Sequence, residues 1–578
     1  MSFLKKLLGK GFFPIQLPPN FTSSSFGEKY KEISNGISKI IKDNNKINPQ
    51  KEWTKIDKYS VSRTSFYRRT TSILNPISYF VLAKLISDNW DEINSFYENS
   101  SLSLSKPSID DESLRAISIT KFNQLYERKI IDSAGYKYAL VTDVSSYFPS
   151  IYTHSIPWAL YGKINSKANL RNKNKNKNLG DEIDLYCRNI QDGQTIGLPI
   201  GSDTSHIISE IIGTAIDCEL KSKLGSNLRG FRYVDDFFLF FKERVAAEKA
   251  LAALTAIINS YELEINASKT KIIETKDLIE ESWRYSLKNK TISHEIKKQK
   301  NDIHNYFSSV FSLEREYKDE SIAKYALKQL SSSIIKKNNW DITESYLLKV
   351  AYTFPNTIEI VSRFLVTYNS YGYEINKHNI RVFIKSLIAD HLNSSHHNEV
   401  CWLLWLSKEL NIRLSKVTAN RIFEMDSNPC ILILLDMYNR DLVNKGFKLT
   451  DKLDKYKSKD GLTNSNWLVS YEGGRRKWLG NKNFKFIEEN KAFKLLLDEN
   501  VSFYDENIKP PMLFNIKNET NNTTLNIDKL FNGDEDITDK FQFNDLDDEY
   551  FDNTDSDDTF FDDDDEDEQR EIDMHSEY

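Results

Sequence analysis

Two adjacent aspartates, in Tyr233-Val-Asp-Asp236, lie between the apolar runs Phe231–Tyr233 and Phe237–Phe241. Side by side at a hairpin, two carboxylates repel unless a cation lies near them, although aspartate also serves simply as a turn former. A third acid, Asp143, closes Tyr138-Ala-Leu-Val-Thr142, 92 residues before Asp235, and that run reads as a buried strand with a carboxylate at its tip. Two neighbouring strands delivering carboxylates to one sheet edge make a site for a hard divalent cation. Mg²⁺ prefers such oxygens, takes few protein ligands and leaves room for phosphates. Two ions about 4 Å apart clamp the attacking and leaving oxygens of an in-line phosphoryl displacement.

The elements that must hold these acids follow from hydrophobic spacing. Ile77 to Trp90 reads as an amphipathic helix, Thr204 to Leu224 as a helix with an isoleucine-rich face, and Ala246 to Tyr261 as an alanine-rich helix. Leu263-Glu-Ile-Asn leads into a short strand. Residues 171–178, alternating Asn with basic residues, read as a solvated loop. After about residue 280 strand-like runs become rare. Helical patches follow at 295–315, 320–336, 343–353, 357–369, 378–393, 397–410, 415–425 and 430–440, separated by short polar loops. That spacing suggests paired helices packed as an array, without a sharp internal repeat.

Charge divides the chain. Residues 534–578 carry 22 acids against two bases, which leaves 76 bases and 62 acids, a net +14, in residues 1–533 of a protein whose total is -6. A basic body is a prior for nucleic-acid contact, and the acidic stretch should be disordered because its like charges cannot pair internally. The four cysteines form no CxxC pair, which argues against a disulfide framework or zinc ribbon and suits a reducing cytoplasm. No apolar run approaches the roughly 18 residues of a membrane span, and lysines interrupt the apolar residues at the start, so neither a membrane segment nor a signal peptide is expected.

Four segments together carry a resemblance. Asp143-Val-Ser-Ser-Tyr-Phe-Pro-Ser-Ile151, Gly197-Leu-Pro-Ile-Gly-Ser202, Tyr233-Val-Asp-Asp236 and Leu263-Glu-Ile-Asn-Ala-Ser-Lys-Thr270 stand in the order of reverse-transcriptase palm motifs A, B, C and D. Gly9-Lys-Gly-Phe-Phe-Pro-Ile-Gln-Leu-Pro-Pro-Asn-Phe21, Tyr152-Thr-His-Ser-Ile-Pro-Trp158 and Gly201-Ser-Asp-Thr-Ser205 resemble the abortive-infection, phage-defence reverse transcriptases of bacteria, the AbiK-like group. The resemblance is sharp over 135–275 and loose after 300. It implies an α+β reverse-transcriptase fingers–palm fold at 1–285, an all-α helical-repeat (HEAT-like) domain at 286–510, and a linker with a disordered acidic tail at 511–578.

The resemblance also implies roles. Asp143, Asp235 and Asp236 would be the catalytic carboxylates and, with the backbone carbonyl of Val144, the ligands of two Mg²⁺ ions, with Mn²⁺ a substitute. Phe148, five residues after Asp143, would lie under the sugar and select dNTPs, although a ring there also suits a core. Gly201 would let backbone approach the incoming base. Lys269 or Lys271 would protonate the leaving pyrophosphate. Arg68 and Arg69 would grip the triphosphate from a fingers strand. Templated reverse transcriptases carry Gln after the motif-B Leu-Pro, where this chain has Ile200. AbiK-like enzymes also depart there; they make DNA without an added template, grow it from a protein hydroxyl, and form symmetric oligomers.

The reading is therefore a cytoplasmic, protein-primed, template-independent DNA polymerase of reverse-transcriptase type. Its partners would be dNTPs, a covalently attached single-stranded DNA product and other copies of itself, with no membrane. Two alternatives stand beside it: RNA-templated synthesis on a bound noncoding RNA, and a non-catalytic RNA-binding scaffold, against which the intact Asp143, Asp235 and Asp236 argue. His396, His397, Glu399 and Cys401 resemble a ligand cluster but sit at the start of an apolar helix, which favours a structural role. His154 reads as a structural histidine. Trp467 to Trp478 mixes aromatics with bases, and suits either stacking on single-stranded DNA or closure of the helical domain.

Overall fold

Buried side chains recur at every second position from Asp57 to Val61, and the first β-hairpin follows: β1 (Asp57–Ser62) pairs antiparallel with β2 (Arg68–Ile73), from Asp57↔Ile73 to Ser62↔Arg68. It appears in a computed structural model that describes residues 2–43, 49–111, 113–171, 178–225, 228–278, 282–449, 452–480, 485–516, 531–534 and 540–543. The second sheet contains the motif-bearing runs. β3 (Tyr138–Thr142), β4 (Gly230–Tyr233), β5 (Asp236–Phe241) and β6 (Lys271–Glu274) form an antiparallel sheet in the order β4-β5-β3-β6. The consecutive apolar residues Phe237–Phe241 in β5 are all buried. The helices Asp203–Leu224 and Arg244–Ser260 pack together, and the second lies on β3 and β5.

The expected helix at 77–90 is instead Pro76–Asp88, with a separate helix at Trp90–Tyr97. It is not amphipathic: Pro76 to Ala83 are buried without interruption. Asn75 caps it, its side chain accepting from Ile77 N at 3.0 Å, and Pro76 starts it. Its first two turns are buried on all sides, which spacing alone does not reveal, and only its C-terminal end exposes Lys84 and Asp88.

The helices beyond 280 stand close to their expected places: Ile296–Tyr317, Ser321–Leu330, Trp340–Thr353, Ile358–Ser370, Lys377–Asn393, His397–Glu409, Lys416–Met425 and Asn428–Asn439. Each of several packs on the next but one. Ser321–Leu330, Ile358–Ser370, His397–Glu409, Asn428–Asn439 and Trp467–Arg475 make one row, and Trp340–Thr353, Lys377–Asn393 and Lys416–Met425 make a second. The helix His397–Glu409, buried from Asn398 to Lys408, also packs on β1, so the array and the fingers hairpin share a core.

Position 285 falls inside the helix Ser282–Lys288, which packs on the helices that open the array; Trp283 meets the Tyr325 ring at 5.4 Å. The N-terminal segment likewise joins both parts. Phe12 packs on Tyr79 at 4.9 Å and on Phe503 at 5.4 Å, and Trp402 Nε1 donates to the Gln16 carbonyl at 2.8 Å. Part of the stretch expected as linker and disordered tail is structured. β7 (Phe514–Ile516) pairs with β8 (Phe541–Phe543), and Phe514, Phe531 and Phe541 are buried, with Phe514 stacked on Tyr371 at 5.4 Å. Aromatic residues spaced by two form an apolar strand face despite the surrounding acids. The acidic residues 544–578, and 172–177 of the expected loop, lie outside the described residues.

Candidate active site

Asp143 follows the last residue of β3, and Asp235 and Asp236 stand at the β4–β5 turn next to it, because Thr142 pairs with Phe237. The turn is tight. Tyr233 pairs with Asp236, so Val234 and Asp235 are its only central residues. Val234 alone of these two has a positive φ, +56°, the pattern of a type II′ turn, which usually places glycine there. A β-branched residue in this region is strained. Two bonds hold it: Val234 N donates to Ser105 Oγ at 2.9 Å, and Arg232 Nη1 donates to the Val234 carbonyl at 2.7 Å.

On the other side of β3, Val144 forms a β-bridge with Ile265. Asn266 N donates to the Asp143 carbonyl at 3.0 Å, and Ser145 N to the Glu264 carbonyl at 2.8 Å. Val144 itself is therefore the non-hydrogen-bonded member, and its carbonyl turns away from Ile265 toward the β4–β5 side. The chain then turns through Ala267–Lys269, which carries Lys269 Nζ to 3.4 Å from Asp143 Oδ2. Lys271 opens β6 opposite Val141.

Electrostatics mark this end of the sheet. Removal from water, with repulsion from Asp236 and Asp143, holds the Asp235 carboxyl well above the usual carboxylate range. Burial pushes the Lys269 ammonium below the usual lysine range; Asp143 opposes that shift and Arg63 adds to it. Asp143 Oδ1 is buried without a hydrogen-bond partner. Carboxylates at one end of the sheet, with Asp235 feeling the charges of Asp236 and Asp143 and one buried oxygen of Asp143 unpartnered, suit a hard divalent cation.

Gly197 N donates to the Ile151 carbonyl and Leu198 N to the Phe148 carbonyl, both at 2.8 Å, which ties the motif-B loop to the segment after Asp143. Phe148 is half-buried, with its ring edge-on to Tyr147 at 5.7 Å. Ser72 N donates to the Ile200 carbonyl at 2.7 Å, which fastens the same loop to β2. Gly201 has φ +126°, and a Cβ there would meet Pro14 Cγ at 2.7 Å, so the loop needs glycine to pass the N-terminal segment. At its end, buried Arg115 pairs with Asp203 and Asp203 N donates to the Gly11 carbonyl at 2.9 Å.

Residues 63–301 match the family model described as reverse transcriptase (RNA-dependent DNA polymerase). This stretch is a reverse-transcriptase domain. The protein is thus an RNA-directed DNA polymerase-type nucleotidyltransferase, an enzyme class that uses nucleotides, nucleic acid and divalent metal ions. The curated proteins include no match to the chain. Among the described residues no helix is long and apolar enough to cross a membrane.

Within the reverse-transcriptase domain, the structure brings Asp143, Asp235, Asp236 and Lys269 together. Arg68 is committed elsewhere. Its guanidinium holds Glu399 of the array through both carboxylate oxygens, at 2.6 and 2.7 Å, and donates to Ser60 Oγ at 2.6 Å. Arg69 sits half-buried opposite Val61. Arg63 is the fingers arginine whose charge Lys269 feels, and its place beside the hairpin tip gave no sequence signal. Arg232 was also passed over. A charged residue inside an apolar strand, with Glu210 and Asp217 two turns apart on a neighbouring helix, is the signal that finds it.

His391, His396 and Glu399 bring three donor atoms within 4.8 Å of one another, with the two Nδ1 atoms 2.8 Å apart. Arg68 engages both oxygens of Glu399 and places a cation there already, which fits the structural role. His154 Nδ1 bonds Asp184 at 2.8 Å. Trp467 is buried against Phe503 at 5.1 Å, and Arg476 bonds Glu472 and the Tyr504 carbonyl, so this stretch closes the array.

Proposed function

We propose that the chain is a phage-defence DNA polymerase of the AbiK-like group that adds dNTPs to a protein hydroxyl and then to the growing DNA 3′ end. The observation that carries the reading is the convergence of Asp143, Asp235 and Asp236 beside Lys269, with Asp143 Oδ1 buried and unpartnered. These carboxylates and the Val144 carbonyl would hold two Mg²⁺, or Mn²⁺ in their place. Such ions lower the cost of charge on the attacking and departing oxygens. Lys269, whose Nζ lies 3.4 Å from Asp143 Oδ2, would give a proton to the pyrophosphate as the bond between the α- and β-phosphates breaks, while the attacking hydroxyl gives up its proton to solvent and its oxygen bonds the α-phosphorus. Phe148 would close the space beside C2′, Arg63, whose charge Lys269 feels, would face the phosphates in place of Arg68 with Arg69 assisting, and Lys271 at the start of β6 is the alternative to Lys269 as proton donor. Gly201 leaves backbone near the base.

Ile200 supports untemplated synthesis: an apolar side chain after Leu198-Pro199 cannot hydrogen-bond a template–nucleotide pair. The two rows of helices support a HEAT-like array after the palm. Free thiols at all four cysteines agree with a cytoplasmic protein, and homo-oligomers follow from the group resemblance. The description of the matched family as RNA-dependent favours a second reading, synthesis on a bound noncoding RNA.

The deciding experiment follows labelled dNTP incorporation by protein purified from cells, with phenol extraction and boiling in detergent before analysis. Protein priming predicts label that stays on the protein band, a mass increment after nuclease digestion, and no effect of prior RNase. Free product and synthesis abolished by RNase would replace it with the RNA-templated reading.

A further inference from the structure

Arg232 is buried in the middle of an apolar strand, and its guanidinium is fully engaged. Nη2 donates to Glu210 Oε1 and to Asp217 Oδ2, each at 2.8 Å. Nε donates to Asp217 at 3.0 Å, and Nη1 to Glu210 Oε2 at 3.0 Å and to the Val234 carbonyl at 2.7 Å. Both acids come from the long helix Asp203–Leu224 and are as buried as the arginine. Gly213, between them on that helix, makes the room: a Cβ there would stand 2.6 Å from Arg232 Cζ. A buried charged triad of this kind is seldom retained for stability, since apolar replacements of similar volume are often as stable or more so.

The last of these contacts has a specific consequence. The Val234 carbonyl belongs to the peptide that joins Val234 to Asp235, so whatever fixes that oxygen fixes the plane from which the Asp235 side chain departs. The strained turn supplies no such constraint by itself. Ser105 holds the N–H side of Val234, and Ser105 Oγ also reaches Glu210 Oε2 at 3.1 Å, so both braces lead back to one acid.

We infer that Arg232 is a positioning residue: clamped by Glu210 and Asp217, it holds the Val234–Asp235 peptide so that Asp235 faces Asp143 in a metal-binding arrangement. The inference rests on the reading of Asp235 as a metal-holding carboxylate. Residues that orient metal ligands typically contribute 10- to 100-fold in metal affinity, so a loss of about that size is expected when the clamp is released.

The test is Mn²⁺ binding to the full-length protein without nucleotide, followed by electron paramagnetic resonance, with thermal melting of the same samples. Two variants release the clamp differently. Gly213→Ala crowds the guanidinium while keeping every charge. The triple variant Arg232→Met, Glu210→Gln, Asp217→Asn removes the charges together, so no buried ion is orphaned. Mn²⁺ binding weakened about 10-fold or more in the folded triple variant, or in Gly213→Ala where the triple variant does not fold, supports the inference. Wild-type Mn²⁺ binding by the folded triple variant overturns it, as does wild-type binding by Gly213→Ala if the triple variant does not fold. A purely structural role lowers the melting temperature and leaves the dissociation constant of folded protein unchanged. Asp235→Asn measured in parallel separates the two levels: if it binds Mn²⁺ as wild type does, the reading of the carboxylates fails; if it loses binding while the clamp variants do not, only the role of Arg232 fails.

Discussion

Two clusters of buried charge in the fingers–palm region are built on opposite terms. Where β2 meets the array, Glu399 accepts two hydrogen bonds from Arg68, and Arg68 also donates to Ser60. Tyr59 OH donates to Asn398 at 3.0 Å and Ser65 N to Glu320 at 2.8 Å, so these hairpin residues are tied to the array by paired polar contacts. At the tip of β3, three carboxylates meet one lysine, Asp143 Oδ1 has no partner, and Asp235 is pushed toward its neutral form. Native interiors rarely leave buried oxygens unpaired, and unsatisfied charge in a cleft marks a place kept for something else. The first cluster is an attachment; the second, on the reading proposed above, would receive a cation and substrate.

Breaking the palm cluster gives the largest expected effect. Asp235→Asn with Asp236→Asn should reduce nucleotide incorporation by about 10³-fold or more, since loss of several kcal/mol of transition-state stabilisation is a factor of that size. The same protein without metal should keep its fold, because the change relieves the repulsion that Asp236 and Asp143 exert on Asp235. Wild-type incorporation by this variant would end the palm assignment.

The attachment should respond the other way. Glu399→Ala leaves Arg68 without its counter-charge, a change that costs about 3–5 kcal/mol for a buried pair. Urea unfolding measures it. Replacing both partners, Arg68→Met with Glu399→Leu, should recover most of the loss, and incorporation per folded molecule should change little in the double variant. If Arg68 acts on the triphosphate instead, the double variant will show a raised KM for dNTP that restored stability does not cure.

The difference between the clusters also explains what could be read in advance. The strand-end positions of Asp143, Asp235 and Asp236 were legible because each ends or interrupts an apolar run, and antiparallel pairing brings such positions to one edge. The helix positions after 290 were legible because their apolar spacing is regular and their loops polar. Arg68 was misplaced because its sequence neighbourhood records only that it lies on a strand, while its partner Glu399 is 331 residues away. Phe531 and Phe541–Phe543 depart from the expected disorder because composition averages over the acids, whereas Phe541 and Phe543 act singly, through the strand they form with Phe514–Ile516. The extent of burial of Pro76–Ala83 depends on the helices Phe3–Gly9 and Leu179–Ile190 packing against it, which no local pattern contains.

A smaller effect distinguishes the two lysines near the palm cluster. Lys269→Met should slow incorporation by about 10²-fold, the lower range for loss of a general acid, while Lys271→Met should have little effect. Single-turnover rates across pH sharpen this. Burial lowers the Lys269 pKa, so its ammonium loses the proton at a lower pH than an ordinary lysine. The rate should therefore fall as pH rises through that value, and this alkaline limb should be absent in Lys269→Arg, whose side chain stays protonated. An unchanged limb in Lys269→Arg would assign it to another group.

The smallest effect lies in the stability of the metal-free protein. Asp235 has a folded-state pKa raised above the ordinary carboxylate value it has in the unfolded chain, first by removal from water and then by Asp236 and Asp143. Between those two values the folded chain binds a proton that the unfolded chain does not, so stability falls as pH rises through the window. Its contribution is fully present below the ordinary carboxylate range and is lost once pH passes the raised value. In Asp235→Asn the group does not titrate, and the window should disappear. Melting temperature measured with a chelator from about pH 4 to pH 8 should therefore decline more steeply in wild type than in Asp235→Asn, by a few degrees at most for a chain of this length. Mg²⁺ should flatten the wild-type curve, because the ion favours the charged carboxylate and offsets the repulsion from Asp143 and Asp236. Arg68 and Glu399, already paired, should show no such response: the same scan on the Arg68→Met, Glu399→Leu protein should keep the wild-type slope and its sensitivity to Mg²⁺. Equal slopes for wild type and Asp235→Asn would mean that the palm carboxylates are not in conflict, and the contrast between the two clusters would be lost.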